Sequence, residues 1–168
     1  PKGCDGHQYE GLNLLTPWFC EQFLSVEDVV QYQMSYAPLD DDEVAAEVLD
    51  ADGVWQTLLE NVDFTVERET GVVSFLQAPG ASPVSGEDNV RIRAARTVPG
   101  YAQRINGCDV GAMYGVAGAA DRLFLSGNAE FANVDWFSGQ NDPTSFREMA
   151  YSVLGSARSA IVGYSVVG

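Results

Sequence analysis

The sequence predicts an all-β, antiparallel fold, and three observations carry that expectation. Apolar and polar residues alternate at period two: Val30, Tyr32, Met34 and Tyr36 against Gln31, Gln33 and Ser35, and Val90, Ile92 and Ala94 against Arg91 and Arg93. The 17 glycines and 7 prolines break the chain at intervals suited to short strands. The stretch 121–143, DRLFLSGNAEFANVDWFSGQNDP, sets two strand-sized apolar pieces, Leu123-Phe124-Leu125 and Trp136-Phe137, among Gly, Asn, Asp and Pro.

Residues 1–11 are Gly-rich and polar and read as a flexible N-terminal segment. Strands are expected over 30–36, 63–67 and 90–96, with weaker patterns over 18–24, 44–49, 54–58 and 72–76. About seven strands before residue 97 is the spacing of a β-sandwich or a small barrel, so 12–97 reads as one β-sandwich-like domain. Asp50-Ala51-Asp52-Gly53 and Arg68-Glu69-Thr70-Gly71 each end a short loop on Gly, where a positive φ meets no Cβ clash; both read as hairpin turns. Residues 78–86 are a loop by composition.

A second β-unit is expected over 98–168. It opens with a short helix over 99–107, with Pro99 or Gly100 at its start and Gly107 past its end. A strand over 110–116, a turn at Gly118-Ala119-Ala120 and a strand over 123–125 would make a hairpin. Ser145-Phe146-Arg147-Glu148 matches a capping box and predicts one or two helical turns over 145–151. Ile161, Gly163 and Ser165 alternate with Val162, Tyr164 and Val166 as a closing strand. The abrupt ends, Pro1 and that strand, predict an excerpt from a longer protein.

The formal charge of −15 sets 24 acids against 9 bases, of which one is Lys and eight are Arg. So few cations cannot displace the counterions of DNA or RNA, and an anionic membrane surface would repel the chain. No window approaches the ~18 apolar residues that cross a bilayer. Two readings of the charge stay open: simple solubility, or a negative wall past which nucleic acid moves without sticking.

The same residue inventory argues against catalysis. His7 is the single histidine, which leaves neither a zinc set nor a Ser-His-Asp triad. Asp40-Asp41-Asp42-Glu43, with Asp50 and Asp52, lacks the spacing of a calcium loop and reads as a solvated connection. No catalytic, cofactor-binding or metal-binding residue and no cofactor is expected. Cys4, Cys20 and Cys108 form no CxxC pair; reduced thiols of a protein folded in a cytoplasm are the favoured reading, with one disulfide left open. Trp18, Phe19, Trp136 and Phe137 are the candidate interaction residues. They suit core or subunit packing, with Trp18, Trp136 and Phe137 as a sugar- or receptor-binding platform in the alternative.

Several runs resemble a known family. They are Asn13-Leu14-Leu15-Thr16-Pro17; Asp63-Phe64-Thr65-Val66 with Thr70-Gly71-Val72-Val73-Ser74-Phe75 and Ala78-Pro79; and Asn89-Val90-Arg91-Ile92. Arg122-Leu123-Phe124-Leu125-Ser126-Gly127-Asn128, Asp135-Trp136-Phe137-Ser138 and Asn141-Asp142-Pro143-Thr144 are the more distinctive. Together they are similar to virion structural proteins of tailed phages and prophages, of the packaged-DNA stabilisation or tail-nozzle type. Ala129 and Ala132 stand where prolines are expected. The resemblance implies a β-propeller body below the portal, with 12–97 a sandwich inserted between blades and 98–168 part of the propeller. It implies a homo-oligomeric ring touching portal or tail proteins, made in the bacterial cytoplasm and located in the virion. It implies no enzyme activity, sequence-specific nucleic-acid binding or membrane contact.

Overall fold

The computed structural model describes residues 11–115 and 121–165. It is mainly β, with three antiparallel sheets, none closed into a barrel; the barrel alternative is thereby removed. The chain divides into two compact units. Trp18–Thr97 belong to one, and Gly11–Pro17 join the chain from Val98 onward in the other. Residues 12–17, assigned by sequence to the first domain, therefore belong to the second unit. His7, Cys4 and the Gly118-Ala119-Ala120 turn lie outside the described residues.

The first unit holds β1 (Trp18–Phe23), β2 (Gln31–Gln33), β3 (Ala45–Leu49), β4 (Trp55–Leu58), β5 (Phe64–Glu67), β6 (Val72–Phe75) and β7 (Val90–Ala95). One sheet runs β1-β7-β3-β4 and the other β2-β6-β5. The pleat sorts the side chains. Phe19, Glu21 and Phe23 of β1 stand opposite Ala94, Ile92 and Val90 of β7, and Ala46 of β3 also faces Ile92. In the smaller sheet Tyr32, Val66 and Val73 share a face with Phe64 and Phe75. A series of ring contacts, Phe23–Tyr32 at 5.3 Å, Tyr32–Phe75 at 5.3 Å and Phe75–Phe64 at 5.8 Å, links the two sheets.

Both hairpin turns form. Gly53 has φ 76° and its N–H reaches Asp50 O at 3.0 Å; Gly71 has φ 74° and its N–H reaches Glu67 O at 2.8 Å. The strand expected over 30–36 is shorter, because after Gln33 the chain turns away. Ser35 N donates to the Glu21 carboxylate at 3.0 and 3.1 Å, and the Tyr36 ring packs on Phe19 at 5.2 Å.

The second unit has α1 (Tyr101–Asn106), β8 (Val110–Tyr114), β9 (Arg122–Ser126), β10 (Val134–Phe137) and β11 (Tyr151–Val153), in the sheet order β11-β10-β9-β8. Its core joins Leu14, Ile105, Val134, Trp136 and Phe146. Two expectations fail here. Residues 145–151 are no helix: Phe146 N donates to Asn13 Oδ1 at 3.0 Å, Arg147 pairs with Asn13, and Glu148 N donates to Leu12 O at 3.0 Å. These long-range partners take the groups that a helix would use. Residues 161–165 form no strand; Ile161 N bonds Ala132 O at 2.9 Å and Tyr164 is held by its hydroxyl instead.

Candidate functional site

The four aromatic candidates fall into two pairs, one in each unit. Phe19 is 2% exposed and Trp136 3% exposed, so both pack in the interior of their units. The pleat that places Trp18 on one face of β1 turns Phe19 into the other. Trp18 is half-buried, with the Arg93 guanidinium 4.3 Å from its ring centroid. Arg91, two residues along β7 on the same face, lies 3.9 Å over Trp55 and donates to Glu47 at 2.6 Å. This face thus carries two Arg–Trp stacks, each of which shields a cation with an aromatic surface. Arg93 Nε is buried without a hydrogen-bond partner.

In the second unit Trp136 packs against Phe131 at 6.1 Å and Tyr151 at 5.1 Å. Phe137 points to the other side of the sheet. There Tyr114, Phe124 and Phe137 make a half-buried aromatic row across β8, β9 and β10, with centroids 6.4 and 6.0 Å apart. Sequence reasoning found Phe137 but missed Tyr114, the most exposed member at 50%.

The residues of the distinctive motifs serve internal bonds. Asn128 Nδ2 donates to Gln103 O at 2.9 Å and Arg104 O at 3.0 Å, satisfying carbonyls at the end of α1, while its Oδ1 accepts from Glu130 N. Gly127 has φ 84°, and a Cβ there would fall 1.8 Å from Asp109 Oδ1. Ser138 Oγ accepts from Leu123 N at 2.9 Å, and Asp142 Oδ1 accepts from Thr144 N at 3.0 Å. Asn89, wholly buried, accepts from Ser25 N at 2.8 Å and donates to Gly80 O at 3.3 Å.

Asp40 and Asp50 of the acidic cluster are likewise engaged. Asp40 accepts from Thr97 N and Oγ1 at 3.0 and 2.7 Å. Asp50 accepts from Val54 N, Asp52 N and Gln56 Nε2, bonds that hold its carboxyl below the usual range. Burial pushes the Glu60 carboxyl up, but Arg68 at 2.7 Å and the Val44 N–H more than offset it, and the net shift is down. Among the described residues no cluster of three His, Cys, Asp or Glu gathers as a metal set would.

Cys20 is 2% exposed and disulfide-bonded, which corrects the reduced reading for that residue. Sequence spacing carries no information on which Cβ atoms meet in space. Cys108 keeps a free thiol whose pKa burial raises. Comparison with protein-family models, curated proteins and solved structures gives no match.

Proposed function

We propose that this chain is a structural component of a tailed-phage or prophage virion, of the tail-nozzle or packaged-DNA stabilisation kind, and that it works by packing rather than by catalysis. One observation carries the reading: Trp18–Thr97 form a unit with its own two sheets, and that unit interrupts the sequence of a second one, built from Gly11–Pro17 and the chain from Val98. A sandwich-like domain inserted into a propeller-like body would have this connectivity, which is what supports the reading. Four consecutive strands paired in chain order have the make-up of one propeller blade. The half-buried row of Tyr114, Phe124 and Phe137 is where a neighbouring blade would pack. The ring series from Phe23 to Phe64 is how the first unit's two sheets would close as a sandwich.

In this reading the motif residues keep the loops in place, and the acid excess flanks a DNA path in a homo-oligomeric ring next to portal or tail proteins. Like charge lets the genome be retained and conducted without adhering. The test is mass spectrometry and immunogold labelling of phage particles purified from the producing bacterium. The protein is expected in intact particles, with label at the portal vertex. Its absence from gradient-purified particles would overturn the proposal.

A further inference from the structure

The second unit carries an open pocket of ≈ 200 Å³, lined by Tyr114, Gly115, Asp121, Arg122, Phe124 and Gln140. It lies at one end of the sheet, where Tyr114 and Arg122 form the last pair of β8 and β9 and β10 has stopped at Phe137. A place at the strand ends is compatible with a neighbour packed on Phe124 and Phe137. The volume is below the ~300 Å³ at which pockets begin to hold drug-sized ligands, and it suits a single ring.

Its polar groups are fixed in place and still have bonds to give. Asn141, with φ 56°, turns the chain beyond β10. Its N–H donates to Asp121 O at 2.6 Å, and the neighbouring Gln140 Nε2 donates to Asp121 Oδ2 at 2.7 Å. Asp121 Oδ1 and the Gln140 amide oxygen keep no partner among the described residues. Arg122 donates through Nη1 to Ser138 O at 2.9 Å, which leaves Nε and Nη2 as donors. The Tyr114 ring meets Phe124 at 6.4 Å with 57° between the planes, a tilted contact that leaves the side chain 50% exposed.

These groups select the ligand. One carboxylate and one guanidinium make the lining neutral, and the formal charge of −15 disfavours an anion. Free acceptors and donors stand beside an aromatic face. A pyranose matches that pattern, because its rim hydroxyls both donate and accept while its C–H face is apolar.

We propose that this pocket binds one neutral hexopyranose, the terminal residue of a glycan. The C–H face of the sugar lies on Tyr114, two of its hydroxyls donate to Asp121 Oδ1 and Gln140 Oε1, and another accepts from Arg122. The inference stands on the second unit's own residues and does not depend on the virion reading. None of the lining residues belongs to the Trp18, Trp136 and Phe137 platform considered from the sequence.

The probes are methyl β-glucopyranoside, methyl β-galactopyranoside and methyl α-mannopyranoside, titrated into the ¹⁵N-labelled full chain, with methyl β-glucuronide and cyclohexanol as controls. At least one neutral pyranoside is expected to bind saturably, with a Kd of about 1–10 mM, and to shift the amide resonances of Tyr114, Gly115, Asp121, Arg122 and Gln140. Cyclohexanol, a ring without the array of hydroxyls, should bind at least about tenfold more weakly. The anionic glucuronide, which meets Asp121, should bind about threefold more weakly or worse. Tyr114→Ala, at a side chain already 50% exposed and so tolerated by the fold, should weaken the pyranoside by about tenfold, whereas Tyr114→Phe keeps the ring and should stay within about threefold. Gln140→Ala, at an exposed residue outside every strand, should cost about threefold. No saturation by any of the neutral pyranosides below about 100 mM, or equal binding of cyclohexanol or the glucuronide, would overturn the proposal. So would shifts confined to other strands, or parental affinity in Tyr114→Ala.

Discussion

The Tyr164 hydroxyl donates to Asp135 Oδ1 at 2.5 Å and lies 2.5 Å from Ser126 Oγ. It pins the otherwise strandless 155–165 segment to β9 and β10. Burial first, and the Asp135 carboxylate second, raise the phenol pKa. The unfolded chain therefore ionises first as pH climbs past about 10, so the stability from this tie is full below that pH and is lost above it. Tyr164→Phe should cost about 1 kcal/mol at pH 8, and the gap to the parent should narrow toward pH ~11. Urea unfolding at the two pH values measures this, and a gap that stays constant would contradict it.

Glu21 is a carboxylate only 5% exposed on an inward face of β1. Burial raises its pKa, and the Ser35 N–H draws it part of the way back. With a raised folded pKa, its contribution is greatest below the unfolded value of about 4.5 and declines as pH rises through the folded value. Glu21→Gln keeps an acceptor for Ser35 without the charge. It should be as stable as the parent at pH 7.5, or more stable by up to about 1 kcal/mol, and should lack the parent's gain on acidification. A loss above about 2 kcal/mol at pH 7.5 would mean that the buried charge itself is needed.

Two glycines should tolerate substitution far less well than a third. At Gly127 an added Cβ meets Asp109 Oδ1 at 1.8 Å, and at Gly71 it meets the Ala37 Cβ at 3.2 Å; at Gly53 nothing lies within 4 Å. Gly53→Ala should cost about 1 kcal/mol from positive φ alone. Gly71→Val should cost roughly 1–2 kcal/mol and Gly127→Ala roughly 2–3 kcal/mol, since the latter must also displace a carboxylate. Thermal melts of the three variants give the order directly, and equal melting temperatures for Gly53→Ala and Gly127→Ala would contradict the packing.

The acidic segment 41–43 tests the charge reading. Asp41, Asp42 and Glu43 are exposed, whereas Asp40 is engaged with Thr97. Replacing the three exposed acids by Arg should leave the fold intact and slow DNA ejection from particles, through new phosphate contacts. The effect should weaken as salt is raised. Ejection kinetics unchanged at low salt would count against a DNA-facing role for this segment.

How much was legible in the sequence depended on how local each signal is. Period-two alternation located β5 and β7 within a residue or so, and Gly53 and Gly71 marked the β3–β4 and β5–β6 turns, because pleat and positive φ are properties of neighbouring residues. The Ser145–Glu148 capping box misled, because Leu12 and Asn13, more than 130 residues away in the chain, claim the backbone groups of Phe146 and Glu148. Strand β11 was missed because Tyr151–Val153 is three residues long, exposed throughout, and defined only by its pairing with β10. The tail at Ile161 and Tyr164 has a strand pattern, but its polar tie to Asp135 and Ser126 is invisible to periodicity. Of the aromatic candidates, composition could not tell Phe19 and Trp136, which turn inward, from Trp18 and Phe137 on the opposite faces.

The most direct measurement of the central claim is a cryo-electron microscopy map of the portal-proximal tail in intact particles, at a resolution that separates strands. The account predicts a ring of copies below the portal, each with the meander β8 to β11 set among further blades. A map in which that ring has no density for the meander, or in which the protein is missing from the particle, would contradict it.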